Sequence, residues 1–130
     1  MGTVLLVDDE RDLAEAFATF LSLAGHEVTV ASDGAEALSI LATGTFDIVI
    51  TDLRMPGSTG FDLQKRIAAC GLRLPTIVLS ASDDVQAREH ARGLGAVAFF
   101  RKPVDDQALL DAIWWAISGA RPSSNGDSKQ

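Results

Sequence analysis

The sequence predicts a doubly wound α/β domain built on a five-stranded parallel sheet with five helices. Two observations predict it. Five short runs, Val4 to Val7, Val28 to Val30, Ile48 to Ile50, Ile77 to Leu79 and Val97 to Phe100, are continuously apolar, as strands covered on both faces are. The stretches between them have helical spacing and about the length that a crossover between parallel strands needs. Right-handed crossovers bring all the strand carboxyl ends to one edge of the sheet. In the strand order 2-1-3-4-5, the first and third strands are neighbours across the topological switch point, where ligands of such sheets bind.

The helices follow in order. In the first, Leu13, Phe17, Phe20, Leu21 and Ala24 share one face, and Gly25 is placed to end it. The second opens with Asp33-Gly34-Ala35-Glu36, the pattern of a capping box, and turns Ala37, Leu38 and Leu41 inward. The third runs from about Gly60 to Cys70 with Leu63 and Ile67 inward, and Pro75 sets the entry of the next strand. The fourth, about Asp83 to Gly93, has only Val85, Ala87, Ala91 and Leu94 as apolar content and is expected to be weakly held. A switching element and a plain polar surface helix both fit that composition. The fifth, Asp105 to Ser118, carries Leu109, Leu110, Ile113, Trp114, Trp115 and Ile117, more than one ~100° stripe accommodates. One of the two tryptophans is therefore expected near the surface, as a partner contact or lying flat over the core edge. The polar stretch after Gly119 reads as a flexible tail or truncated linker, so residues 1–118 form the domain and 119–130 its appendage.

At 130 residues the chain fits one domain with one core, burying roughly two thirds of its unfolded surface. No apolar run approaches the ~20 residues of a bilayer span, and nothing reads as a secretory signal, so a cytoplasmic protein without membrane contact is expected. The formal charge of -7, from 18 acids and 11 bases spread along the chain, argues against direct nucleic-acid binding, which needs a basic face. It suits a site that holds a cation. The single cysteine, Cys70, cannot form an internal disulfide and reads as a helix-end thiol beside Gly71.

The residues that follow each strand point to the chemistry. After the first come Asp8, Asp9 and Glu10; after the third, Asp52; after the fourth, Ser80; after the fifth, Lys102. The predicted strand order brings Asp8, Asp9 and Asp52 into one pocket. Carboxylates ~4 Å apart repel by about 4 kcal/mol per pair at an effective dielectric of 20, so the cluster takes up a cation or protons. Few protein oxygens and an open geometry favour Mg²⁺ over a caged Ca²⁺, and zinc lacks nitrogen or sulfur ligands. With the metal, Lys102 and Ser80 would cradle a phosphoryl group on Asp52, since an Asp carboxylate can act as nucleophile. Plainer readings stand beside this one. Asp-Asp-Glu can be a charge cluster at a helix N-terminus, Lys-Pro a turn, and Ser80 an N-cap in competition with Ser82 and Asp83.

The motifs Val-Asp8-Asp9-Glu, Ile-Thr-Asp52-Leu-Arg-Met-Pro56-Gly, Leu-Ser80-Ala81 and Gly95-Ala96-Val-Ala-Phe99-Phe-Arg-Lys102-Pro103, in this order and spacing, closely resemble those of the receiver domains of two-component response regulators. The resemblance covers about residues 3 to 118 and implies a flavodoxin-like fold. It implies that Asp52 accepts a phosphoryl group from a histidine kinase or a small phosphodonor. By the same likeness, Asp9 and Asp52 bind Mg²⁺ by side chain, Asp8 assists through water, and the Arg54 backbone carbonyl completes the protein ligands. Lys102 and Ser80 contact the phosphoryl oxygens, and Phe99 is the switch aromatic that turns inward as the Ser80 hydroxyl moves. A cis Lys102–Pro103 bond is also implied.

The chain has Ser80 where Thr is commoner and Phe99 where Tyr is commoner, which bears on how tightly phosphorylation couples to the output surface. Arg54 lies where side chains influence the access of hydrolytic water. The implied partners are a cognate histidine kinase and a second copy or output domain, met through the face of the fourth helix, fifth strand and fifth helix. No separate substrate is expected to be turned over; the activity is the domain's own phosphorylation and slow hydrolysis. Two other classes stay open: a docking module of this fold that never takes phosphate, and a phosphatase of the haloacid-dehalogenase type. The latter family carries a second Asp two residues after its nucleophile, where this chain has Arg54.

Overall fold

The computed structural model describes residues 2–55, 58–72, 74–81 and 85–118. The expected tail, 119–130, and the capping candidates Ser82 and Asp83 lie outside the described residues. In chain order the elements are β1 (Thr3–Val7), α1 (Arg11–Leu23), β2 (Glu27–Ala31), α2 (Gly34–Thr43), β3 (Ile48–Asp52), α3 (Gly60–Ala69), β4 (Thr76–Ser80), α4 (Val85–Gly93), β5 (Ala96–Arg101) and α5 (Asp106–Ser118). A two-residue antiparallel ladder, Arg54–Met55 against Ser58–Thr59, stands between β3 and α3.

The sheet has the order β2-β1-β3-β4-β5 and every pair in it is parallel. This is the flavodoxin-like arrangement that the alternation of apolar runs and helical stretches predicts. Successive strand side chains point to opposite faces. Val4, Leu6, Ile48, Ile50, Ile77 and Leu79 therefore pack with α1 and α5 through Ala14, Leu21, Leu109 and Ile113. Leu5, Val7 and Val49 pack on the other face with α2 and α3 through Ala37, Leu41, Leu63 and Ile67. A third cluster of Leu53, Val78, Ala91 and Phe99 lies under α4. The described helices include none long and apolar enough to cross a membrane.

Burial on both faces holds for the three central strands alone. β1, β3 and β4 are buried almost throughout, whereas β2, an edge strand, buries only Ala31. The apolar run Val28 to Val30 was thus expected to be more covered than it is, because an edge strand is flanked by one neighbour only.

Helix ends show what the periodicity misses. Gly25 adopts φ 101 and the next amide, His26, donates to Leu21 O, a left-handed stop that favours glycine. Ala24 is correspondingly exposed at the cap rather than inward. At α2, Asp33 caps the Glu36 amide as expected, but the Glu36 carboxylate accepts from the Ser32 amide and hydroxyl rather than from Asp33. The reciprocal capping box is at α3, where Thr59 and Asp62 bond each other's amides. The signature Thr59-x-x-Asp62 was present in the sequence. Of the α5 tryptophans, both rather than one reach the surface, with Trp114 55% and Trp115 43% exposed, because Leu109 and Ile113 already fill the inward stripe.

Candidate functional site

Strand register assembles the site. Val7 pairs with Thr51, so Asp8 and Asp52 are the next residues of adjacent parallel strands. Asp52 pairs with Leu79, which places Ser80 one step beyond on the other side. Ser80 pairs with Arg101, and the Lys102 amide donates to Ser80 O at 2.7 Å. All four positions fall on the carboxyl edge because parallel strands end on the same side.

Asp8, Asp9 and Asp52 each offer a carboxylate oxygen, and the three oxygens lie within 4.8 Å of one another. Lys102 Nζ stands 3.3 Å from Asp52 Oδ2, 3.5 Å from Asp8 Oδ2 and 3.9 Å from Glu10 Oε1. Three acids and a nearby ammonium are therefore brought together as the sequence anticipated, with Glu10, named after the first strand but given no role there, as a further contact of Lys102. Asp8 is buried, and its Oδ1 accepts the Glu10 amide at 2.9 Å, so it supports the entry to α1 while facing the site. Asp9 is exposed, and Asp52 is 8% exposed. Burial holds the Asp52 carboxyl above its ordinary value. The Lys102 charge opposes that rise, and the charges of Asp8 and Asp9 add to it. A buried carboxylate beside two others is a group whose charged form gains from a cation or from esterification.

Ser80 is a buried strand residue five positions before α4 begins at Val85, which removes the N-cap reading for it. The Lys102–Pro103 bond is cis. Arg54 is two residues beyond Asp52 in the short ladder and is exposed. Phe99 lies inward, packed with Leu53, Val78 and Ala91, so Leu53, next in chain to Asp52, is the side chain through which the two regions adjoin.

One supporting residue escaped the sequence reading. A methyl group on Gly60 would sit 3.0 Å from Asp52 O, 3.3 Å from Leu53 Cα and 3.3 Å from Thr51 Cγ2. The Gly60 amide donates to Leu53 O at 2.7 Å. The first residue of α3 thus abuts the backbone that carries Asp52, and the only sequence signal was a glycine at a helix start.

The donor set suits a hard divalent cation: three aspartate oxygens, no imidazole or thiolate among the clustered groups, and space on the exposed Asp9 side for solvent ligands.

Comparison with known proteins agrees. The response regulator receiver domain family matches residues 4–114. The transcriptional regulatory protein DltR of Streptococcus agalactiae is 34% identical over 110 residues, covering 85% of this chain and 49% of that protein. FixJ of Bradyrhizobium diazoefficiens, also named a transcriptional regulatory protein, is 32% identical over 127 residues, covering 98% of this chain and 62% of FixJ. A response regulator receiver domain protein from Clostridium thermocellum has a similar crystal structure, with a TM-score of 0.86 at 32% identity over 92% of this chain and 97% of that one. The chain spans about half the length of DltR. With its sheet order, its acid cluster and a match over most of its length, the chain belongs to the family of response regulator receiver domains of two-component systems.

Proposed function

We propose that this domain is a phosphoacceptor whose Asp52 takes a phosphoryl group from a cognate histidine kinase or a small phosphodonor. Phosphorylation and Mg²⁺ binding are typical of the family. The observation that carries the reading is the convergence of Asp8, Asp9 and Asp52 within 4.8 Å, with Lys102 Nζ 3.3 Å from Asp52.

Asp9 and Asp52 would hold Mg²⁺ by side chain, Asp8 through water, and Arg54 by its backbone carbonyl. Bound there, the ion supplies charge neutralisation for the incoming phosphoryl oxygens. An Asp52 Oδ attacks phosphorus, forming the acyl phosphate P–O bond. The bond from phosphorus to the donor breaks, and its electron pair leaves with an imidazole or, from acetyl phosphate, with acetate. Lys102 and the Ser80 hydroxyl bind the phosphoryl oxygens, replacing part of the charge balance that Lys102 supplies to the bare acids. Attack by water later releases inorganic phosphate and restores Asp52. Phe99 and Ser80 form the switch, and the readout is a shifted equilibrium of α4, β5 and α5 that controls a second copy or an output domain. Relatives named transcriptional regulatory proteins are longer than this chain, which supports an output region beside the domain of residues 1–118, with 119–130 as tail or linker. The domain itself binds no nucleic acid and works in the cytoplasm.

Incubation with acetyl phosphate and Mg²⁺, followed by intact-mass measurement, is expected to add about 80 Da to the wild type and nothing to Asp52→Asn. An unlabelled wild type leaves a docking module as the function, and a label that survives Asp52→Asn removes Asp52 from its role.

A further inference from the structure

Helix α4 is fastened to the sheet by little apolar burial. Ala91 is its one buried residue among those described, and Val85 is 70% exposed. In its middle stands Arg88, whose guanidinium carbon lies 5.1 Å from the centroid of the Phe99 ring. Its Nη1 also donates a 3.2 Å hydrogen bond to the carbonyl oxygen of that same residue. One planar cation thus holds both the ring and the backbone of Phe99, an arrangement that the rigid fork of a guanidinium suits better than the single nitrogen of an ammonium. The carbonyl bond anchors the guanidinium against β5, so outward rotation of the ring gives up the stacking while the anchor stays. Phe99 pairs with Val78, two residues before Ser80 in the neighbouring strand. A cavity of about 260 Å³ is bordered by Arg88, Arg92 and Phe99 among others.

We propose that Arg88 is a latch that keeps Phe99 inward and α4 docked, and thereby sets how strongly the Asp52 site is coupled to the α4–β5 surface. The proposal rests on the phosphoacceptor reading above. If the phosphoryl group favours the inward ring, a residue that holds the ring inward shifts the population toward the state that takes the phosphoryl group more readily, so its loss slows labelling. Arg88 acts through Phe99 and is a positioning residue, remote from the reacting atoms in sequence and mechanism alike.

The test compares wild type with Arg88→Met, which keeps an unbranched apolar stem, and Arg88→Lys, which keeps the charge without the planar fork. Two readouts are taken: deuterium uptake by the amides of α4 and β5 without phosphodonor, and the labelling rate with sub-saturating acetyl phosphate and Mg²⁺. Arg88→Met is expected to speed α4 uptake about fivefold with α1 unchanged, and to slow labelling about fivefold, with Arg88→Lys between. Wild-type uptake in α4, or unchanged labelling alongside faster uptake, overturns the latch. If the wild type itself takes no label, the phosphoacceptor reading falls and uptake alone decides the latch. If Arg88→Met does not fold, Arg88→Lys carries both readouts with a smaller shift in the same direction.

Discussion

The two sides of the site are held in different ways. On one side β1 and β3 bury every residue from Val4 to Val7 and from Ile48 to Asp52, and α1 closes over them with Phe17 and Phe20 packed on the core. On the other, β5 buries only Phe99 of its six residues, and α4 contributes Ala91 to the core with Ala87 beside it. The acids therefore stand on a part of the molecule that moves only at the cost of the core. The α4–β5 side is fixed by a few contacts of which several are polar, among them the Gln64 amide bonded to Ala91 O at 3.1 Å. The proposed phosphoacceptor role calls for both properties: preorganised groups at Asp52 and a surface whose alternative states differ by little free energy.

Substitutions sharpen that contrast in descending order. Ile50→Ala, at a fully buried site of β3, is expected to lose about 2–5 kcal/mol of stability in urea melts; a loss below ~1 kcal/mol would break the distinction between the two sides. Gly60→Ala comes next. Its methyl group meets backbone at 3.0 and 3.3 Å, and fixed atoms yield less than side chains, so about 1–3 kcal/mol is expected. Acetyl phosphate labelling should slow as well, since Asp52 must shift; a variant as stable and as quickly labelled as wild type removes the close approach from the account.

A pH experiment probes the acid cluster itself. Burial raises the Asp52 carboxyl above its ordinary 3.8, so the folded chain holds that proton more tightly than the unfolded chain does. The resulting stabilisation is complete below the ordinary value and is lost as pH rises through the raised one. At neutral pH the ionised group therefore disfavours folding. Asp52→Asn is expected to melt at a higher temperature than wild type in metal-free buffer at pH 7, with the gap closing below about pH 4. Equal or lower melting at pH 7 counts against the raised value. The smallest effect is reserved for Val85→Ala on α4, expected within about 0.5 kcal/mol of wild type because the side chain is largely exposed.

Much of the site was legible before any coordinates. Continuous apolar runs mark strands that must be sealed on both faces, and for β1, β3 and β4 that inference holds residue by residue. The polar residue after each run then identifies the carboxyl edge, so Asp8, Asp9, Asp52, Ser80 and Lys102 could be grouped without a structure. What the reading missed has two causes. Ala24 and the Glu36 bond to Ser32 are set by local cap geometry at the helix ends, and the exposed Trp pair and the fit of Gly60 against Asp52 O by how an element packs. Periodicity describes one element at a time and carries no information on its neighbours.

By itself the sequence determined the number and type of the main elements, the sheet that they form and the residues at its carboxyl edge. These follow from short-range patterns of apolar and polar side chains, which solvent exposure enforces locally. Only the tertiary structure decided that Lys102 reaches three carboxylates at once, that Gly60 abuts the backbone of Asp52, and that Arg88 closes over Phe99. Those contacts join residues of different elements over a few ångströms, and such distances are set by how whole helices and strands pack.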